Sequence, residues 1–221
     1  MSRYLTEDID PDELARRKEI ADEIAGAVRG LVGDTVRTEV DAAAAAEAIA
    51  HIEAARTILK SARIEEEAFG VRFNADGRKR TWGNAVLGAR NPVAPPVVIG
   101  FDGELAWAEL ELGAQYEGPA GLVHGGILAA ILDQMLGSAT EHAGTPGMTG
   151  TLTIRYRRAT PLGAIRAEAR RERIDGVKSI ASGRIYSNGE VTAEAEGIFI
   201  LPRWARSAAA DEVARKSVGD G

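Results

Sequence analysis

One segment of this sequence constrains the fold more than any other: residues 127–139, which read ILAAILDQMLGSA. The run is long enough for a helix and is apolar on nearly every side, which is typical of a helix buried in a protein interior. Segments with a β-strand pattern come before and after it. Strands, one buried helix and further strands predict an α+β fold in which an antiparallel sheet wraps around that helix.

Turn dipeptides between alternating segments predict the strands of this sheet. Three dipeptides are of the kind favoured in two-residue hairpins: Asp102-Gly103, Asp175-Gly176 and Asn188-Gly189. They are predicted to join 97–101 to 105–112, 164–174 to 177–187, and 177–187 to 191–201.

Residues 149–156 also alternate between apolar and polar side chains, as a half-buried strand does. The pattern places one set of side chains on one face: Leu152, Ile154 and Tyr156. It places the other set on the opposite face: Thr149, Thr151, Thr153, Arg155 and Arg157.

The first eighty residues are predicted to form a helical extension. Asp10 is a good N-cap and Pro11 suits the first helical position. Gly33-Asp34 is predicted to end the first helix, and a second helix is predicted over 40–68. We interpret 1–80 as a helical hairpin with a packing or a regulatory role, 81–202 as the main domain, and 203–221 as a C-terminal tail with a short surface helix.

Composition excludes several kinds of partner and of functional site. The net charge of −6 argues against nucleic acid as the main partner, and the absence of cysteine removes disulfides, thiolate metal sites and cysteine nucleophiles. The polar start and the lack of a long apolar run predict a cytoplasmic protein with no membrane partner. Charge is unevenly distributed, because residues 151–184 hold nine basic side chains against three acidic ones.

Asp133 is the one ionisable residue of the apolar segment. A carboxylate on a buried helix costs several kcal/mol unless it is paired, hydrogen bonded or open to a wet cleft. We therefore single out Asp133 as a candidate catalytic group. The alternative is that it lies on an exposed strip or caps a neighbouring loop.

A glycine-rich turn, residues 118–126 (GPAGLVHGG), runs into the start of this helix. Backbone N–H groups and the helix dipole at such a point bind phosphate or stabilise an oxyanion, so the Gly125 and Gly126 amides are candidate donors. The alternative is a turn that only the fold requires. His124 precedes Asp133 by nine residues, so the two need not share a helix face. His124 is either a general base or, as we favour, a residue that fixes the turn.

The sequence His124-Gly-Gly followed by Asp133 resembles the hotdog-fold acyl-CoA thioesterases of the PaaI-like and THEM4-like type. Four further segments fit the same family: 88–96 (GARNPVAPP), 116–119 (YEGP), 149–156 (TGTLTIRY) and 160–163 (TPLG). The resemblance covers about 82–202 and leaves the helical extension outside.

This resemblance implies a hotdog fold, with subunits that pair their sheets edge to edge in a homodimer or homotetramer and an active site at the interface. It makes Asp133 the general base or nucleophile, and the Gly125 amide the donor that polarises the thioester carbonyl. Thr149 matches a position where some members place a hydroxyl that helps to orient the water from the opposite subunit, and Thr151 is the second choice. No cofactor or metal is implied, because coenzyme A is part of the substrate.

Two groups of residues remain as candidate substrate contacts. Some members of the family carry an asparagine six residues before the histidine, where this chain has Gly118. Asn91 is a candidate polar contact elsewhere in the chain, with no assigned equivalent in the family. The arginines that follow the proposed catalytic strand suit the phosphates of CoA, or else form salt bridges: Arg155, Arg157 and Arg158.

The predicted function is hydrolysis of an acyl- or aryl-CoA thioester to a free acid and CoA. A non-catalytic hotdog protein that binds acyl-CoA or lipid is the alternative. A hotdog dehydratase or hydratase is a third possibility, for which the sequence shows no matching motif.

Overall fold

The computed structural model describes residues 5–64, 71–75, 79–95 and 97–202. Within these ranges, the N-terminal part holds two helices and three very short strands: β1 (Leu5–Glu7), α1 (Pro11–Arg37), α2 (Ala42–Lys60), β2 (Arg72–Asn74) and β3 (Lys79–Arg80). The other described residues hold one long helix, a short 3-10 helix (Ala114–Tyr116) and six strands. In chain order the long helix and the strands are β4 (Gly100–Asp102), β5 (Leu105–Leu112), α3 (Gly125–His142), β6 (Met148–Tyr156), β7 (Gly163–Asp175), β8 (Lys178–Ser187) and β9 (Glu190–Ile200).

The six strands of the main domain form one sheet in the order β4-β5-β7-β8-β9-β6, and every neighbouring pair is antiparallel. Helix α3 packs against five of the six strands, β5 to β9. The predicted α+β hotdog fold is therefore confirmed. All three predicted strand pairs form hairpins, but only Asn188-Gly189 is the loop that was predicted, with positive φ at both residues (51° and 78°), as a type I′ turn requires. Asp102 and Asp175 instead end their strands and pair with Leu105 and Lys178, so these two loops lie one residue later than predicted.

The core lies between α3 and the sheet. The side chains of Ile131, Leu132, Met135 and Leu136 are fully buried there. Leu136 fits against two glycines of the sheet, since a Cβ on Gly183 or Gly197 would lie 2.8 or 2.9 Å from a Leu136 methyl carbon. Leucine on the helix and glycine on the strands are thus matched in size, which draws α3 close to the sheet.

Strand β6 carries an irregularity that the sequence analysis did not predict. Thr149 pairs with Phe199 and Thr151 pairs with Ile198, so Gly150 is an extra residue, a β-bulge. Phe199 is buried on the helix side of β9, and residues that pair directly share a face, so Thr149 points toward α3. The prediction that Thr149 and Thr151 face the same way is therefore wrong.

Helix α1 begins as predicted but ends later. The Asp10 side chain accepts from the Asp12 amide at 2.9 Å, which confirms the N-cap. The helix continues through Gly33-Asp34 to Arg37, so the predicted break is wrong. Helix α1 packs on residues 114–116, with Gln115 beside Gly33, and this tertiary packing offsets the low helix propensity of glycine.

The second helix is shorter than predicted, and the two helices do not form a hairpin. Helix α2 ends at Lys60, where Ser61 caps it, and none of its residues is buried. Helix α1 buries Ala21 and Ala25 and packs on residues 114–116 of the main domain, while α1 and α2 share almost no contact. The small sheet β1-β2-β3 was not predicted, and the predicted tail helix at 203–221 lies outside the described residues. Among the described helices, none has the length and apolar character that crossing a membrane needs.

Replacing Leu136 with alanine should lower the free energy of unfolding by about 2–5 kcal/mol, because it leaves a cavity between α3 and the sheet. The matched control is Leu59→Ala on α2, where the side chain is 47% exposed and the expected loss is less than about 0.5 kcal/mol. Urea unfolding of both variants measures the difference, and equal losses would contradict this description of the core.

Candidate active site

The start of α3 is fixed by His124. Its backbone N–H donates to the Tyr116 carbonyl at 2.9 Å, and its side-chain Nδ1 accepts from the Gly126 amide at 3.0 Å. Because Nδ1 accepts a hydrogen bond, the ring proton of the neutral imidazole lies on Nε2. His124 is thus the N-cap of α3, which supports the turn-fixing interpretation over a general base.

This cap distinguishes between the two candidate oxyanion donors, the Gly125 and Gly126 amides. The Gly126 N–H is occupied by His124, so it is not a free oxyanion donor. Gly125 is the first residue of α3, where a backbone N–H has no acceptor within the helix. Gly125 is half-buried, and its amide lies at the positive end of the helix dipole. The structure therefore favours Gly125 as the donor.

Tyr116 anchors the segment that precedes the turn. The buried phenol donates to the Ala94 carbonyl at 2.9 Å, and burial raises the pKa of Tyr116, so the group stays a neutral donor. Gly118 follows two residues later and faces His124. A Cβ at Gly118 would lie 2.8 Å from the His124 Cα atom, so the asparagine that some family members carry here does not fit without movement of the turn.

Tyr156, at the end of β6, contacts the same helix start. Its hydroxyl donates to the Gly125 carbonyl oxygen at 2.8 Å. A Cβ at Gly125 would lie 3.3 Å from the Tyr156 ring, so the phenol packs directly on this glycine. Sequence analysis placed Tyr156 on the apolar face of β6 and missed this contact, for which no sequence motif gives a signal.

Asp133 lies two turns further along α3 and pairs with Thr149. The Thr149 hydroxyl donates to Asp133 Oδ1 at 2.8 Å. The bulge at Gly150 makes this bond possible, because it turns Thr149 toward the helix. Within the single chain, Thr149 is thus in contact with Asp133, whereas Thr151 lies on the opposite face of β6.

The Asp133 carboxylate is less buried than predicted. Asp133 is half-buried and Thr149 is exposed, because the flank of α3 that faces β6 is open in the single chain. Its neighbour Gln134 belongs to a separate polar network, in which it donates to Ser138 at 3.2 Å and accepts from Asn84 at 3.4 Å. This network ties residues 84–87 to α3 beside the carboxylate.

The Asn91 side chain forms hydrogen bonds within its own loop. Its amide group donates to the Asn84 carbonyl at 3.3 Å, and its side-chain oxygen accepts from the Val93 amide at 3.1 Å. Both ends of the side chain are therefore used within the loop that precedes β4. The structure gives Asn91 a role in loop shape and does not bring it into contact with Asp133 or Gly125.

The three candidate arginines flank Tyr156 in sequence, and Arg155 pairs across the strands with Glu194, on the face of the sheet opposite α3. Arg157 pairs with Glu194 at 2.8 Å, and Arg158 pairs with Glu190 at 3.2 Å. Both pairs involve arginines more than half exposed, where an ion pair contributes about 0–1 kcal/mol. Arg155 is exposed and makes no ion pair with any described residue.

Two further features lie away from this helix start. A groove of about 690 Å³ on the outer face of the sheet is lined by Glu109, Arg166 and Tyr186, among others. It lies on the face of the sheet opposite α3. Across the ranges that the structure describes, no three His, Asp or Glu side chains come together to hold a metal ion.

Removing the cap should weaken α3. His124→Ala is expected to lower the free energy of unfolding by about 1 kcal/mol, because the Gly126 amide loses its acceptor. His124→Asn keeps a side-chain acceptor and should recover most of that loss. Both variants lose the imidazole ring, so the difference between them in urea unfolding isolates the cap. An asparagine variant as unstable as the alanine variant would show that the ring acts in another way.

Comparison with known proteins agrees with this architecture. A sequence profile of the family described as "Thioesterase superfamily" matches residues 120–194, from the glycine-rich turn to β9. "Acyl-coenzyme A thioesterase THEM4" of Xenopus laevis is 33% identical over 91 residues, which are 40% of this chain and 41% of that protein. The protein of the same name from Bos taurus is 35% identical over 91 residues, 40% of this chain and 37% of that protein. The chain thus spans about two fifths of the length of these curated relatives.

A solved structure extends the likeness to the N-terminal helices. The crystal structure of a thioesterase superfamily protein superposes with a TM-score of 0.72 and 28% identity, and the match covers 81% of this chain and 94% of that chain. Such coverage reaches beyond the six-stranded sheet into the helical extension. The profile match, the curated relatives and this superposition agree with the observed hotdog fold, and residues 120–194 are similar to the thioesterase superfamily.

Proposed function

We propose that this protein hydrolyses an acyl- or aryl-CoA thioester to a free acid and CoA, at a site that two subunits build together. The observation that carries the proposal is the Asp133 carboxylate held by the Thr149 hydroxyl at 2.8 Å, on the same helix as an amide suited to an oxyanion. The curated relatives named acyl-coenzyme A thioesterases support the choice of substrate.

One chain does not bring the two groups to the same thioester. Gly125 and Asp133 are eight residues apart on α3, which corresponds to roughly 12 Å along the helix axis. A carbonyl oxygen within hydrogen-bond distance of the Gly125 amide is therefore out of reach of Asp133 in that chain. A second subunit has to supply one of the two groups.

Strand β6 provides the edge through which two subunits can pair. It is nine residues long and lies at the end of the sheet, so one side of its backbone is unpaired among the described residues. Thr149, near one end of β6, contacts Asp133, and Tyr156, at the other end, contacts Gly125. Antiparallel pairing of two β6 strands about a two-fold axis near Thr153 sets Asp133 of the partner subunit beside Gly125.

The chemistry follows from these positions. The Gly125 N–H donates to the thioester carbonyl oxygen and stabilises the negative charge that develops on it. Asp133 either takes a proton from the attacking water or attacks the carbonyl carbon itself, forming an anhydride that water then hydrolyses. In both routes the carbon–sulfur bond breaks, the thiol leaves with a proton, and water supplies the new hydroxyl of the acid.

Thr149 orients the carboxylate for this step. Its hydroxyl donates to Oδ1, which leaves Oδ2 to accept from the water or to face the substrate. Arg155, Arg157 and Arg158 flank Tyr156 in sequence, and the phosphates of CoA would reach them by extending past this end of β6. Their exposed ion pairs are weak enough to exchange for phosphate contacts. The reaction needs no cofactor, and the protein would act as a homodimer built on β6 or as a tetramer of such dimers.

Asp133→Asn should lower kcat by at least about 100-fold while the fold persists, because the amide neither takes a proton nor attacks the carbonyl. Asp22→Asn, which changes an exposed carboxylate on α1, should keep wild-type turnover. A panel of acyl- and aryl-CoA thioesters with detection of the free thiol measures both variants.

Two outcomes of this panel would contradict the proposal. A folded Asp133→Asn protein with wild-type turnover would exclude Asp133 from the reaction. Wild-type protein that binds CoA thioesters across the panel without releasing thiol would instead favour the non-catalytic binding protein.

A further inference from the structure

We propose that Tyr156 is a positioning residue for the oxyanion donor. Its hydroxyl and the His124 imidazole hold the Gly125–Gly126 peptide group from both ends, and so aim the Gly125 N–H. The catalytic consequence rests on the proposed function, whereas the clamp itself is a property of the single chain.

The two contacts act on the same peptide plane. The Gly125 carbonyl oxygen accepts from the Tyr156 hydroxyl at 2.8 Å, and the Gly126 N–H on the other side donates to His124 Nδ1 at 3.0 Å. The preceding peptide plane is held as well, because the His124 carbonyl accepts from the Ile127 and Leu128 amides at 2.9 and 3.3 Å. With both flanking planes fixed, the backbone of Gly125 has little freedom left.

Gly125 needs such a clamp more than another residue would. Glycine loses more conformational freedom on folding than any other residue, and the first helical position has no hydrogen bond from its own N–H within the helix. A mobile N–H donor stabilises an oxyanion poorly, because the stabilisation depends on a donor that is already oriented toward the developing charge. The ring of Tyr156 would lie 3.3 Å from a Cβ at position 125, so it also limits which side chains fit at this position.

Burial does not account for this tyrosine. Tyr156 is 54% exposed in the single chain and lies on the edge strand opposite Ala193. A phenylalanine would make the same ring contacts, so the hydroxyl is what distinguishes tyrosine at this position. Its bond to Gly125 spans two elements, the end of β6 and the start of α3, and ties the proposed dimer edge to the proposed oxyanion site.

Tyr156→Phe removes the hydroxyl and keeps the ring. Loss of a whole oxyanion donor costs about 10²–10³ in kcat, so loosening one should cost less, and we expect kcat to fall about tenfold. KM should change less than about twofold and the melting temperature should stay at the wild-type value, because the bond serves the transition state more than the ground state. Tyr186→Phe, on the outer face of the sheet, is the matched control and should keep wild-type kinetics.

Unchanged kcat in Tyr156→Phe, or a rise in KM alone, would overturn the inference while leaving the thioesterase proposal intact. The proposal itself is tested separately by wild-type turnover and by Asp133→Asn. A fall in melting temperature with unchanged kcat would show that the hydroxyl stabilises the fold and does not aim the donor.

A second measurement tests the clamp without any turnover. In ¹⁵N-glycine-labelled protein, hydrogen exchange of the Gly126 amide should be about fivefold or more faster in Tyr156→Phe than in the wild type, because the peptide group loses one of its two holds. The Gly176 amide, in a distant hairpin turn, should exchange at the same rate in both. Equal exchange at Gly126 would overturn the inference whatever the protein hydrolyses.

Discussion

Helix α3 buries Ile131, Leu132, Met135 and Leu136 against one face of the sheet, and this packing determines where the chemistry-bearing groups lie. The helix is fixed in register because Leu136 enters the space left by Gly183 and Gly197. Once that register is set, Gly125 meets Tyr156 at one end of β6 and Asp133 meets Thr149 at the other. One side of α3 therefore packs into the hydrophobic core, and the residues of the candidate site lie on another side of the same helix.

The flank of α3 beside β6 is open in the single chain, and the proposed function requires a second subunit there. Asp133 is half-buried and Thr149 is exposed, on the side where β6 pairs with no further strand among the described residues. In the proposed dimer the partner subunit covers this flank, and the same pairing that closes the sheet edge excludes bulk water from the reacting groups. Water exclusion strengthens both the oxyanion contact and the orientation of the carboxylate.

Local rules predicted the parts of the fold that depend on neighbouring residues. The Asn188-Gly189 turn and the Asp10 cap are found as predicted, because each is decided by residues within one turn. The sidedness of Thr149 was not predictable, since the bulge at Gly150 depends on its pairing with β9. Helix α1 passes through Gly33-Asp34 for a similar reason, because the contact with Gln115 comes from a distant segment.

The residues of the candidate site also fall into those that the sequence indicates and those that only the structure reveals. Asp133 stands out in the sequence as a carboxylate in an apolar helix, and His124 and Gly125 stand out as part of a turn before it. Tyr156 and the Asn84–Gln134–Ser138 network are visible only in three dimensions, because their partners are far apart in sequence. Asn91 illustrates the converse, since a polar residue in a family-like segment turns out to hydrogen bond within its own loop.

The most direct test of a site shared by two subunits is complementation between two inactive variants, Asp133→Asn and Gly125→Pro. Proline suits the first position of a helix and removes the N–H that is proposed as donor, and the Tyr156 ring has to shift by a few tenths of an ångström to make room for it. If each site combines Asp133 of one subunit with Gly125 of the other, equal mixtures unfolded and refolded together should regain about a quarter of wild-type turnover, because mixed dimers hold one intact site. No recovery above the two separate variants, with mixed dimers shown to form, would contradict the shared site.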